Sequence, residues 1–123
     1  IINALRCVCP PWNVNIVAQK AGDIALSEAN YLDQCKKKII KAKEFLTGEL
    51  SQMGFTLVPS RTNFFLVKVG NGKGFRAALL KHGIWVRDCT SFGLPEYVRI
   101  APRTMPECQR LIAIIRALKH EGG

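Results

Sequence analysis

The amino-acid sequence predicts an α+β domain, in which a small, mostly antiparallel sheet of about four strands is backed by helices. Three observations lead there. Apolar residues recur at helical spacing in the first part of the chain and again near its end, whereas the middle carries short apolar runs of strand type. The resulting order is helix, long helix, strand, strand, helix, strand, strand, helix. At 123 residues, with 48% hydrophobic and 22% charged, the chain can bury one real core. No internal repeat, low-complexity tract or long linker interrupts it.

Residues 1–12 read as irregular, because Pro10 and Pro11 before Trp12 forbid a regular element. Asn13 is a helix N-cap candidate, and Val14, Val17, Ala18, Ala21, Ile24 and Ala25 follow at helical spacing. Ser27 offers a second helix start. Leu32, Cys35, Ile39, Ala42, Leu46, Leu50 and Met53 then form one apolar stripe, which Gly54 ends. The opposite face holds Lys36, Lys37, Lys38, Lys41 and Lys43, a pattern that solvation of an outer helix face explains more often than nucleic acid does.

Phe55-Thr56-Leu57-Val58 is a short strand, and Pro59-Ser60-Arg61-Thr62 breaks it. Asn63-Phe64-Phe65-Leu66-Val67-Lys68-Val69 is the strongest strand and the central one, since both of its faces are largely apolar. Gly70-Asn71-Gly72-Lys73-Gly74 is a turn without the spacing of a phosphate-binding loop. Phe75 to His82 is a short helix stopped by Gly83. After two more strands, Thr104-Met105-Pro106-Glu107 has capping-box spacing and opens a last helix carrying Leu111, Ile112, Ile115 and Leu118.

The net charge of +9, from 18 Lys and Arg against 9 Asp and Glu, favours anionic partners. Five scattered cysteines, an odd number, argue against a disulfide framework and for reduced thiols in a cytoplasm. Cys7-Val8-Cys9 has no second close pair, and His82 and His120 stand alone, so no metal site is predicted. No apolar run nears the ~20 residues of a membrane span, and no secretory leader is read. The missing initiator Met suggests a domain of a longer protein. No nucleophile motif, paired carboxylates or lysine in an apolar setting appears.

What remains is anion-binding equipment in Gly83-Ile84-Trp85-Val86-Arg87 and Tyr97-Val98-Arg99-Ile100-Ala101. These read as two short apolar strands joined by a polar loop. Arg87 closes the first. Arg99 lies inside the second, on the face of Tyr97 and Ala101 and opposite Val98 and Ile100. An arginine there needs an anion or water, so the alternatives are an anion site and a solvated edge. Arg103 stands close by as a further contact. A basic nucleic-acid module is the competing class, but an RNA-binding sheet needs exposed central aromatics, and Phe64 and Phe65 face opposite ways.

Gly83 through Leu94, followed by Tyr97-Val98-Arg99-Ile100-Ala101, resembles the small C-terminal domain of fold-type I pyridoxal-phosphate enzymes, within the histidinol-phosphate aminotransferase group. Pro11-Trp12-Asn13-Val14-Asn15 with Ala18-Gln19 looks like that family's passage out of its large domain. Pro59-Ser60-Arg61-Thr62-Asn63-Phe64 is similar to its approach to a strand. The resemblance implies that residues 1–26 lead out of a preceding large domain and that 27–123 form the small domain. It implies pyridoxal 5'-phosphate held by that large domain, a small phosphorylated amino-acid substrate and a homodimer, with no nucleic-acid or membrane partner. It assigns the substrate α-carboxylate to Arg99 and the phosphate end to Arg87, with no catalytic or cofactor-binding residue in this segment. Arg103 replaces the group's usual glycine, and Arg87-Asp88-Cys89 precedes Ser91-Phe92-Gly93-Leu94. Both features look more like the threonine-phosphate decarboxylases of cobalamin synthesis than the aminotransferases of histidine synthesis, while Pro102 departs from both.

Overall fold

The computed structural model describes residues 1–8 and 15–121. Helices α1 (Ile2–Val8), α2 (Ile16–Ser27) and α3 (Ala29–Gln52) precede strands β1 (Thr56–Val58) and β2 (Phe65–Lys68). Helix α4 (Gly72–Lys81), strands β3 (Arg87–Asp88) and β4 (Tyr97–Ile100), and helix α5 (Met105–Glu121) complete the order. The four strands form one antiparallel sheet in the order β1-β2-β4-β3, so the predicted α+β class and the central place of β2 are both found. Two compact units are distinguished, Ile1–Cys35 and Lys36–Gly123.

In the first unit, Ile2–Val8 is helical where irregular chain was expected. The Pro10-Pro11 break and the Asn13 cap lie outside the described residues. The cap of α2 is Asn15, whose side-chain oxygen accepts from the Ala18 N–H at 2.9 Å. Ser27 ends α2 rather than opening the next helix. Its hydroxyl donates to the Ile24 carbonyl at 2.8 Å, a local bond that competes with capping.

In the second unit, the apolar stripe of α3 is buried at Ala42, Leu46 and Leu50, while Ile39 stays exposed, as does Leu32 of the stripe's first-unit part. Gly54, at φ 82°, supplies the left-handed step that ends α3. Its N–H reaches the Ser51 carbonyl at 2.9 Å and the Phe55 N–H reaches Leu50 at 3.1 Å, satisfying the last carbonyls. Phe65 and Val67 of β2 face Ile100 and Val98 of β4, and all four are buried. Leu79 of α4 and Leu111, Ile112 and Ile115 of α5 join them in one core. The other sheet face carries Val58, Leu66, Lys68, Tyr97 and Arg99, all half-buried or exposed.

Two further boundaries differ from expectation for local reasons. Helix α4 starts inside the glycine-rich run, because the Asn71 side chain caps it by accepting from the Gly74 N–H at 2.9 Å. Gly72 is there for close approach: a Cβ would stand 2.6 Å from the Tyr97 carbonyl oxygen. Strand β3 is only Arg87–Asp88, so Arg87 opens the strand instead of closing it. The Ile84 N–H is already spent on the Leu79 carbonyl at 3.1 Å, at the end of α4.

Candidate anion-binding site

Antiparallel pairing of β3 with β4 sets Arg87 directly opposite Arg99. Like charges in that position repel, so the arrangement needs a compensating feature. Neither guanidinium has a carboxylate within salt-bridge distance among the described residues. Each instead lies over an aromatic ring. The Arg99 guanidinium carbon is 4.9 Å from the Phe64 ring centre, and that of Arg87 is 5.6 Å from Phe92. Phe64 leads into the strand on one side of β4, while Phe92 follows the strand on the other. The two cations therefore lean to opposite sides.

Arg87 also donates one Nη to the Ser91 hydroxyl oxygen at 3.2 Å, which leaves the serine proton free for another acceptor. Arg99 makes no side-chain hydrogen bond among the described residues. It is half-buried, beside Leu66 on β2, with its fork of five donors unspent. A planar cation held against a ring, partly desolvated and without an internal acceptor is suited to bidentate capture of a carboxylate or phosphate. Nearby Lys68 is paired with Glu96 at 3.3 Å.

The register of β3 on β4 sets Arg87 and Arg99 side by side, whereas Arg103 lies beyond the end of β4. The chain leaves the ladder after Ile100, and Glu107 in the first turn of α5 takes the Arg103 Nε at 2.8 Å. The same carboxylate accepts from the Thr104 hydroxyl at 2.6 Å and the Thr104 N–H at 3.1 Å. The Thr104 hydroxyl first, and then its N–H, hold the Glu107 carboxyl below its usual 4.5; burial opposes them, and Arg103 adds a smaller lowering. A depressed pKa contributes stability that is complete above the usual value and is lost as pH falls through the folded one. Glu107→Gln is therefore expected to flatten the fall in Tm below about pH 4.5, a change read by thermal melts at stepped pH.

Three of the residues at this site had no binding role assigned from the sequence: Phe64, Phe92 and Ser91. For Phe64 a signal existed, because alternation with buried Phe65 puts its ring on the arginine face. Phe92 and Ser91 act through a 3-10 turn, Thr90–Phe92, whose geometry leaves no periodic trace. Cys89 is buried beside the pair, and burial pushes its thiol up while the Arg99 charge pulls the other way. It remains a neutral packing group. Among the described residues no His, Cys, Asp or Glu group could hold a metal, and no helix is long and apolar enough to cross a membrane.

The family model for aminotransferase class I and II matches residues 1–115. The chain belongs to that family. It is 36% identical over 113 residues to histidinol-phosphate aminotransferase 2 of Carboxydothermus hydrogenoformans, covering 90% of this chain and 30% of that protein. The histidinol-phosphate aminotransferase of Clostridium acetobutylicum superposes with a TM-score of 0.79 at 26% identity, over 97% of this chain and 37% of that one. The L-threonine-O-3-phosphate decarboxylase of Porphyromonas gingivalis gives 0.71 at 25% identity, over 97% and 38%. The resemblance to the histidinol-phosphate aminotransferase group is thus found in relatives and solved structures alike. The chain spans about a third of the length of the proteins it matches.

Proposed function

We propose that this chain is the substrate-anion-binding small domain of a pyridoxal-phosphate enzyme that acts on a phosphorylated amine or amino acid. Residues 1–26 lead out of a larger domain, which builds the homodimer contact, and 27–123 carry the substrate site. Arg99 takes the carboxylate, and Arg87 with the Ser91 hydroxyl takes the phosphate. The observation that carries the reading is the pair of opposed arginines, each seated on its own ring and neither ion-paired with a carboxylate among the described residues.

Family membership implies pyridoxal 5'-phosphate as cofactor. The described residues do not form its seat. Their lysines are exposed, except Lys43, which is half-buried with its ammonium bonded to two carbonyls, so none presents a desolvated free amine. This chain's own part is to hold and orient anions.

Histidinol-phosphate aminotransferase is the reading the relatives support best. A transaminase alternates between two substrates in one site, and separate seats for a phosphate and a carboxylate serve both. Threonine-phosphate decarboxylase is the second reading, favoured because its substrate carries both anions on one molecule. Arg103, which pointed toward it in the sequence, has its Nε engaged by Glu107. Assaying the full-length enzyme separates them. Transamination of histidinol phosphate with a 2-oxo acid is expected. Carbon dioxide release from L-threonine-O-3-phosphate would establish the second reading, and turnover of neither would overturn both.

A further inference from the structure

We infer that Lys43 is a positioning residue for this anion site, acting through the loop before β2 on the ring that seats Arg99; the inference rests on the assignment of Arg99 to the substrate carboxylate. Lys36, Lys37, Lys38 and Lys41 on the same helix are exposed, whereas Lys43 is half-buried. Its ammonium donates to the Ser60 carbonyl at 2.5 Å and to the Thr62 carbonyl at 2.8 Å. Those residues belong to the connection between β1 and β2, which has no ladder of its own.

Hydroxyls complete the loop. The Ser60 and Thr62 hydroxyl oxygens are 2.9 Å apart, and the Thr62 N–H donates to Ser60 Oγ at 3.2 Å. The Thr62 hydroxyl donates to the Phe64 carbonyl at 3.0 Å and accepts from the Phe64 N–H at 3.4 Å. Both backbone groups of Phe64 are thereby held to Thr62, and Thr62 is held to Lys43. The ring lies on the outer sheet face, 4.9 Å from the Arg99 guanidinium carbon. Lys43 sits between Ala42 and Leu46 of the buried stripe, so it ties the helical layer to a ring on the opposite face of the sheet. An exposed carbonyl can be satisfied by water as well as by lysine, so what the ammonium adds is a fixed loop position.

The test compares O-phospho-L-serine with O-phosphoethanolamine, which differs from it only in lacking the carboxylate, as competitive ligands of the full-length enzyme. The wild type is expected to prefer the first by about tenfold or more, the scale of a charge-assisted hydrogen bond. Arg99→Ala should erase the preference. Lys43→Met should cut it about three- to tenfold, as loss of an oriented cation–π seat does, while affinity for phosphoethanolamine stays within about twofold. Lys43→Arg, which keeps donors for both carbonyls, should restore it, and Lys43→Met should add nothing in a Phe64→Leu background. If Lys43→Met weakens both ligands equally, its role is merely structural and the inference is overturned. It is overturned equally if Arg99→Ala erases the preference and Lys43→Met leaves it intact, with the Arg99 assignment standing. A wild type without the preference, or an Arg99→Ala variant that keeps it, sinks the assignment and the inference together.

Discussion

Replacing Arg99 by alanine in the full-length enzyme is expected to raise KM and lower kcat/KM by about 30- to 5,000-fold, equivalent to the ~2–5 kcal/mol of a charge-assisted pair lost from a desolvated site. Three features of the structure set this expectation. The side chain is half-buried, its donors have no acceptor among the described residues, and the Phe64 ring fixes its plane. Arg99→Lys should not rescue, because an ammonium is a point charge that cannot reproduce the bidentate fork. Arg87→Ala should cost less, since Arg87 is exposed and the Ser91 hydroxyl remains at its seat. Steady-state kinetics with each substrate read these effects. Wild-type values for Arg99→Ala would end the assignment.

Phe65→Ala should destabilise the protein by ~3–5 kcal/mol, the range for removing a fully buried aromatic side chain. Phe65 is 1% exposed and packs in the core that Leu46, Leu50, Ile100 and Ile115 share. The cavity would open in the middle of the sheet, where β1 on one side and β4 on the other restrain collapse. Its neighbour behaves oppositely. Phe64→Ala, on the outer face, should leave stability within about 1 kcal/mol while weakening the carboxylate seat. Denaturant midpoints for the two variants give the comparison, and a Phe65→Ala loss below about 1 kcal/mol would contradict the core assignment.

The contrast between these adjacent residues shows what a linear pattern can convey. Alternation over Phe64-Phe65-Leu66-Val67 predicts which side chains share a face, and it holds. Helical spacing located α3, α4 and α5 and part of what they bury, Ala42, Leu46 and Leu50 but not Leu32 or Ile39 in α3, and Gly54 and Gly83 marked two of their ends. These signals are local, arising from backbone geometry within a few residues. For the same reason the boundaries moved wherever a nearby side chain or carbonyl competed. Asn71 drew α4 forward, Ser27 closed a helix it was expected to open, and the end of α4 kept Ile84 out of β3.

From the sequence alone came the α+β class, the central strand, the core stripes and two arginines that their apolar neighbours could not explain. Which residues surround those arginines was decided only in three dimensions. Register between β3 and β4 made them partners, loop geometry supplied Phe64, Phe92 and Ser91, and a carboxylate in the first turn of α5 took up the Arg103 Nε. A lysine that looked like surface charge is bonded to the loop behind the site. The physical reason is one of range: periodicity records which way a side chain points, whereas its partner comes from another part of the chain and is set by how the layers pack.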